Sequence, residues 1–245
     1  MNKSLLFLFL VSIFTSGYSQ TRDTIALEGQ WQFQIDSEDK GEEEQWFSQR
    51  LEDEIELPGS MRLRGKGNPA TLQTKWTGSI YDSSFYFDPR LEKYRESDPP
   101  KFPFWLTPDL QYVGAAWYQK EVEIPADWKK KHIHLFLERP HTETVLWVDE
   151  EKVGMQNTMV APHVYDLSEF LTPGKHMLTI RVDNRIKNVN VGLDAHSLTD
   201  HTQGNWNGII GKMKLVSSAS LYVQNVQVYP NLAEKKVDLE VILAS

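Results

Sequence analysis

The sequence predicts an all-β protein, a sandwich or a barrel, from three observations. Apolar and polar residues alternate in short runs, the runs recur at intervals of roughly ten residues, and long amphipathic helical patterns are missing. The first run is Ile25–Ile35, where Trp31, Phe33 and Ile35 share one face. Further runs are 117–124, 132–137, 144–148, 177–182, 212–216, 221–229 and 237–243. Turn residues separate several of them, as in Thr172-Pro173-Gly174-Lys175. Helix is expected only around Glu42–Leu51.

The stretch from Gly59 to Gly114 breaks this rhythm. It carries Pro-rich and Gly-rich punctuation and many aromatics, among them Trp76, Tyr81, Phe85, Tyr86, Phe87, Phe104 and Trp105. A loop of that length in a compact domain is either functional or packed against something. Its aromatics are expected to cover the sandwich or to face another domain, with sugar contact as the alternative.

Residues 1–19 read as a signal peptide. Lys3 precedes an apolar run from Leu5 to Phe14, and Gly17 and Ser19 supply the small residues for cleavage after Ser19. The apolar run is roughly half of the ~20 residues that span a bilayer. A periplasmic or secreted protein is therefore expected, with no membrane association after cleavage. The remaining chain is long enough to bury a core without covalent staples. It has no Cys, which removes disulfides, thiolate metal sites and Cys nucleophiles together. A net charge of −8 repels nucleic acid and anionic membranes.

Common catalytic signatures are missing. There is no Gly-x-Ser-x-Gly elbow and no His-Glu-x-x-His. Gly204–Lys212 fails as a phosphate loop, because Trp206 stands where its first Gly belongs and no Ser or Thr follows Lys212. Glycoside hydrolysis needs two placed carboxylates. The acids here sit mainly in charged turns such as Glu42-Glu43-Glu44, and no catalytic pair can be named. No cofactor and no metal are expected.

One segment is chemically dense. Asp194 to Gly208 holds Asp194, His196, Asp200, His201, Gln203, Asn205, Trp206 and Asn207 immediately ahead of the strand at 212–216. Planar polar side chains that both donate and accept, with an aromatic ring, suit a sugar. The same residues also suit a loop that caps its own turns. Asp200, His201, Gln203, Asn205 and Trp206 are the candidate substrate-binding residues.

The order of several motifs resembles the sugar-binding domain of family 2 glycoside hydrolases, the β-galactosidases and β-glucuronidases. They are Trp117-Tyr-Gln-Lys-Glu-Val-Glu-Ile-Pro125, Leu135–His141, Val145–Asp149 with Val153-Gly154, Pro162–Leu167, Leu171–His176, Leu178–Asn184 and Asn207-Gly-Ile209, with Leu57-Pro-Gly-Ser60 earlier. The resemblance runs from about Leu27 to Val216. It implies a jelly-roll β-sandwich (galactose-binding-like) over residues 20–218, then the truncated start of an immunoglobulin-like sandwich over 219–245. A catalytic (β/α)8 barrel would follow, and a barrel alone takes about 250 residues.

The resemblance thus implies a non-catalytic N-terminal portion, inactive alone. Its partners would be the terminal sugar of an oligo- or polysaccharide and the catalytic barrel absent from this chain. It also implies that Asp200–Trp206 reaches towards the barrel's sugar. Three departures stand out. The glucuronidase branch has a His-Asp pair ahead of the closing strand, whereas here Asp200-His201 runs in reverse. No acid in the loop aligns with the one that helps hold sodium in the galactosidase branch. Gly-Ile is followed by Ile210-Gly211-Lys212 rather than closely by Arg. A free-standing carbohydrate-binding module and a purely structural sandwich are the alternatives.

Overall fold

Alternation along the strands assigns their faces, and the two sets of apolar faces close on each other. The computed structural model of the protein describes residues 22–102, 107–187, 192, 195–196, 198–201 and 204–244. The signal-peptide segment therefore lies outside the described residues. Strands β1 (Asp23–Ala26), β2 (Gly29–Asp36), β3 (Asp53–Leu57) and β4 (Gly59–Ser60) lead into the long connection, where β5 (Asn68–Pro69) pairs with β6 (Leu110–Gln111). The rest are β7 (Ala115–Ile124), β8 (His132–His141), β9 (Glu143–Val148), β10 (Glu151–Gln156), β11 (His163–Asp166), β12 (Gly174–Asp183), β13 (Gly208–Ser218), β14 (Tyr222–Asn231) and β15 (Lys236–Ala244).

The jelly-roll β-sandwich is the architecture observed. One sheet has the order β1-β13-β8-β11, with β4 added on β13; the other runs β10-β9-β12-β7-β2-β3. Every pairing is antiparallel, so one face of each sheet can be apolar and the other polar. Leu135, Leu137, Ile209 and Leu215 from the first sheet meet Phe33, Tyr118, Leu146 and Ile180 from the second in one continuous core. Each such side chain contributes roughly 1.5–3 kcal/mol on burial.

A second apolar cluster sits on the outer face of the six-stranded sheet. Trp117, Val145 and Trp147 point away from the main core and are covered by Leu51, Trp46 and Phe47. These covering residues come from the segment expected to be helical. It is instead a series of turns with one 3-10 turn at Trp46–Ser48. Adjacent residues of an α-helix cannot face one surface, yet Trp46 tilts against Trp117 while Phe47 stacks on Trp147 at 5.4 Å. The buried Gln119 side chain also engages the backbone directly. Its amide donates to the carbonyls of Trp46 and Gln49, and its oxygen accepts from Leu51 N–H.

The long connection is irregular, as expected, but it is not bare. Short 3-10 turns and one four-residue α-turn, Glu92–Arg95, punctuate it. Trp76 and Phe85 are buried, and both contact the Phe102 ring, at 4.8 and 5.1 Å. Phe87 stays exposed, and Phe104 and Trp105 lie outside the described residues.

Strands β14 and β15 form a sheet of their own. Their link to the sandwich includes Arg22 donating to the Val223 carbonyl and His132 against Tyr222. Val228, Leu239 and Leu243 remain about 60% exposed (58%, 62% and 58%), so the hairpin's apolar residues have no core of their own.

Two ionisable groups inside the sandwich, His163 and Asp183, are both buried and paired. His163 is fully buried, its Nε2–H donates to the Thr158 carbonyl and its Nδ1 accepts from Thr144 Oγ1. Burial holds its pKa below the usual 6.5. Asp183 is fully buried too. Burial alone would raise its pKa, but hydrogen bonds from Arg185 and Lys187 outweigh that and hold it well below the carboxylate range. Both groups therefore bind protons more readily in the unfolded chain, and stability falls as pH falls. The His163 contribution is complete above pH ~6.5 and is lost below it, at up to ~1.4 kcal/mol per pH unit; that of Asp183 begins to fall only below about pH 4. Urea midpoints measured from pH 8 to pH 5 should decline, and His163→Gln, which can keep both bonds without titrating, should flatten the decline by the histidine's share.

Candidate functional site

One end of the sandwich collects the start of β7, the end of β12, the β8–β9 corner and the start of β13. Asp183 pairs with both Ala115 and Glu143, and Gly208 pairs with both His141 and Ser60, which brings these termini together. Backbone groups at strand ends lack ladder partners, and asparagines supply them here.

Asn207 has the largest share. Its buried amide donates to the carbonyls of Gly114 and Val182, 3.0 Å each, and its oxygen accepts from Tyr118 Oη at 2.8 Å. Asn184 donates to the Tyr112 carbonyl and accepts from Gly114 N–H, both at 2.8 Å. Asn205 donates to the Asn184 carbonyl at 2.7 Å and to Thr77 Oγ1 at 3.2 Å, while its oxygen accepts from His141 Nε2 at 3.1 Å. At Gly208 a Cβ would lie 2.4 Å from the Gly59 carbonyl oxygen, and φ is +140°, so only glycine lets β13 meet β4.

In this extended stretch successive side chains point to opposite sides. With Asn205 and Asn207 turned inward, Trp206 turns outward, half-buried, and stacks on the His141 ring with centroids 4.5 Å apart and planes at 15°. Trp206 also lines a cleft of about 320 Å³ together with Met61, Leu63, Pro108, Gln111 and Tyr112. Arg62 and Lys66 line the cleft as well, but each is paired, with Asp109 and Asp53 respectively.

The candidate residues thus fall in different places. Asp200 is buried, and one carboxylate oxygen accepts from Gly78 N–H at 2.9 Å while the other, Oδ1, has no hydrogen-bond partner among the described residues. Burial pushes its pKa above the usual value. His201 is half-buried against Gly78, where a Cβ would meet its ring at 2.7 Å. Asn205 directs its hydrogen bonds into the scaffold, and Trp206 presents its ring to the cleft. Gln203 lies outside the described residues, as do Asp194, Ser197 and Thr202. Among the described residues no group of three His, Asp or Glu side chains is placed to hold a metal ion.

Sequence reasoning missed His141, Asn184, Thr77 and the cleft wall at Met61 and Tyr112. Leu135–His141 and Leu178–Asn184 were legible as motifs, but nothing in spacing says that their last residues meet the 200–207 loop.

Two facing antiparallel sheets, with polar loops and a half-buried tryptophan gathered at one end, define a β-sandwich. Residues 101–219 match the family model described as glycosyl hydrolases family 2, sugar binding domain, so the resemblance read from the motifs holds for that stretch. A β-glucuronidase of Paenibacillus borealis is 20% identical over 223 residues, covering 85% of this chain and 31% of its own length. A β-galactosidase of Priestia megaterium is 21% identical over 224 residues, covering 90% of this chain and 19% of its own length. Among solved structures, the Ruminococcus gnavus β-glucuronidase in complex with D-glucuronic acid superposes with a TM-score of 0.62 at 17% identity, covering 91% of this chain and 35% of that one. A β-glucuronidase from an uncultured Clostridium sp. gives 0.60 at 18% identity. The chain therefore spans about a third or less of the length of these relatives.

The asparagine lattice yields a stability prediction. Asn207→Ala leaves the Tyr118 hydroxyl without its acceptor and removes the amide's bonds to the Gly114 and Val182 carbonyls in a buried site, and should cost roughly 3 kcal/mol, whereas Tyr118→Phe, which removes one bond, should cost about 1 kcal/mol. Urea denaturation of both variants checks this.

Proposed function

We propose that the chain serves as the non-catalytic N-terminal sugar-binding portion of a secreted family 2 glycosidase, supporting a catalytic barrel and presenting the Asp200–Trp206 loop to the terminal sugar of its substrate. The observation that carries this reading is Trp206, an outward ring fixed from behind by His141 and from both sides by inward asparagines. An aromatic ring held that firmly offers a sugar's apolar face a surface with little ordering cost.

Two further features support the same reading. Relatives that match this chain are three to five times longer, so room exists beyond the sandwich for a barrel. The hairpin of β14 and β15 exposes apolar residues on strands too few to be stable alone, as the opening of an immunoglobulin-like sandwich over 219–245 would. The signal peptide over 1–19 and a periplasmic or secreted location belong to this proposal. The names of the relatives include both glucuronidase and galactosidase activities, and the departures of the loop favour neither sugar.

The test has two arms. The chain alone should hydrolyse no 4-nitrophenyl glycoside, while the protein expressed with whatever its gene encodes beyond Ser245 should hydrolyse at least one. In that longer protein Trp206→Ala should lower kcat/KM roughly tenfold, about 1.4 kcal/mol of transition-state stabilisation, in an enzyme that still folds. A stop codon directly after Ser245, or a Trp206→Ala enzyme of full activity, would overturn the reading in favour of a free-standing binding module or an inert sandwich.

A further inference from the structure

The long connection between β4 and β7 carries a 3-10 turn, Thr77–Ile80, whose residues belong to neither apolar cluster of the sandwich. Thr77 and Gly78 are nevertheless buried. The connection holds the turn from its own side, because Trp76 packs on Phe102, which also meets Phe85. On the other side lies the loop ahead of β13.

Turn and loop meet at three points among the described residues. Gly78 N–H donates to Asp200 Oδ2 at 2.9 Å, and Asn205 Nδ2 donates to Thr77 Oγ1 at 3.2 Å. The partners are 122 and 128 residues apart in sequence. The His201 ring lies so close over Gly78 that a Cβ there would come within 2.7 Å of two ring atoms. Only a residue without a side chain lets both the ring and the carboxylate approach.

The loop's geometry agrees with this. Thr199 N–H bonds to the Ala195 carbonyl, and Gly204 N–H bonds to the Thr199 carbonyl with φ at +72°. Asp200 lies inside the turn that Gly204 closes, 3% exposed. A carboxylate buried there and engaged by a distant backbone N–H is placed to hold the chain, not to meet a ligand arriving from solvent. The two ends of the loop therefore answer to different supports. Asn205 and Asn207 tie its last residues to strand ends through the Asn184 and Val182 carbonyls, while Asp200 ties its earlier residues to the connection.

We infer that the Thr77–Gly78 turn is a clamp that positions the Asp200–Trp206 loop, with Gly78 and Asp200 as positioning residues and the Asp200 carboxylate not itself a sugar ligand. The effect on substrate rests on the sugar-facing reading of the loop given above; the clamp itself does not. A loop held at one end only must be ordered when a ligand binds, and a second support removes that cost beforehand. Releasing the clamp should therefore weaken binding more than any chemical step carried out elsewhere.

Hydrogen exchange of the full chain tests the clamp, with the amides of Leu198–His201 and Gly204–Trp206 compared against those of β12. Gly78→Ala, which sets a methyl against the His201 ring, and Asp200→Ala should each speed exchange in the loop roughly tenfold while β12 keeps its rate. Asp200→Asn, whose amide oxygen can still accept from Gly78 N–H, should stay within about twofold of the unaltered chain. In the longer protein Gly78→Ala should raise KM for a 4-nitrophenyl glycoside about fivefold and leave kcat within about twofold. Loop exchange unchanged in both alanine variants, exchange in Asp200→Asn as fast as in Asp200→Ala, or a loosened loop with an unaltered KM would overturn the inference. A longer protein that hydrolyses no glycoside would instead overturn the proposed function, and the exchange result would still decide the clamp.

Discussion

The amide of Asn207 holds the carbonyls ending two neighbouring strands, Gly114 before β7 and Val182 in β12, while its oxygen takes the hydroxyl of Tyr118 from the core. Asn207 itself begins the run into β13 of the opposite sheet. A single side chain therefore joins the two layers at the end where the loops gather. A buried polar group left unpaired there would cost about 1–3 kcal/mol. Asn184 and Asn205 extend the same lattice to Tyr112, Thr77 and His141.

This constraint also shapes the site. Fixing residues 205 and 207 inward leaves 206 no choice but to point outward in an extended chain. The tryptophan then lies on His141, whose own ring is held by Asn205. Scaffold and site are consequently one network, and a loop residue that reads as a sugar ligand, Asn205, is engaged in positioning the ring beside it. Asp200 is buried behind the loop, with one oxygen fixed by Gly78 N–H.

The outer face of the larger sheet shows the same economy with different residues. Trp117 and Trp147 would be an exposed apolar patch on a solvated sheet, and the segment 37–52 covers them. Covering two indoles with neighbouring aromatic residues excludes a helix and requires a turn structure, which Gln119, and Asp36 by accepting from Lys40 and Gly41 N–H, then secure. The by-product is a rigid wall along the sheet.

Much of the fold was legible in the sequence. Period-2 alternation placed β2, β7, β9, β12, β13 and the terminal hairpin, and the absence of helical periodicity fixed the all-β class. The short strands β3, β10 and β11 were harder to read, because they are edge or half-exposed elements whose apolar signal is diluted. Of the loop, the sequence determined only which chemistry was available: acids, amides, histidines and a tryptophan in close succession. Which of them face inward was decided by tertiary structure, since Asn205 and Trp206 differ by one position and the register of β13 against β8 and β4 sets which side each takes. Likewise Glu42–Leu51 has residues that could form a helix, and only the two tryptophans on the sheet beneath, distant in sequence, decide that it does not.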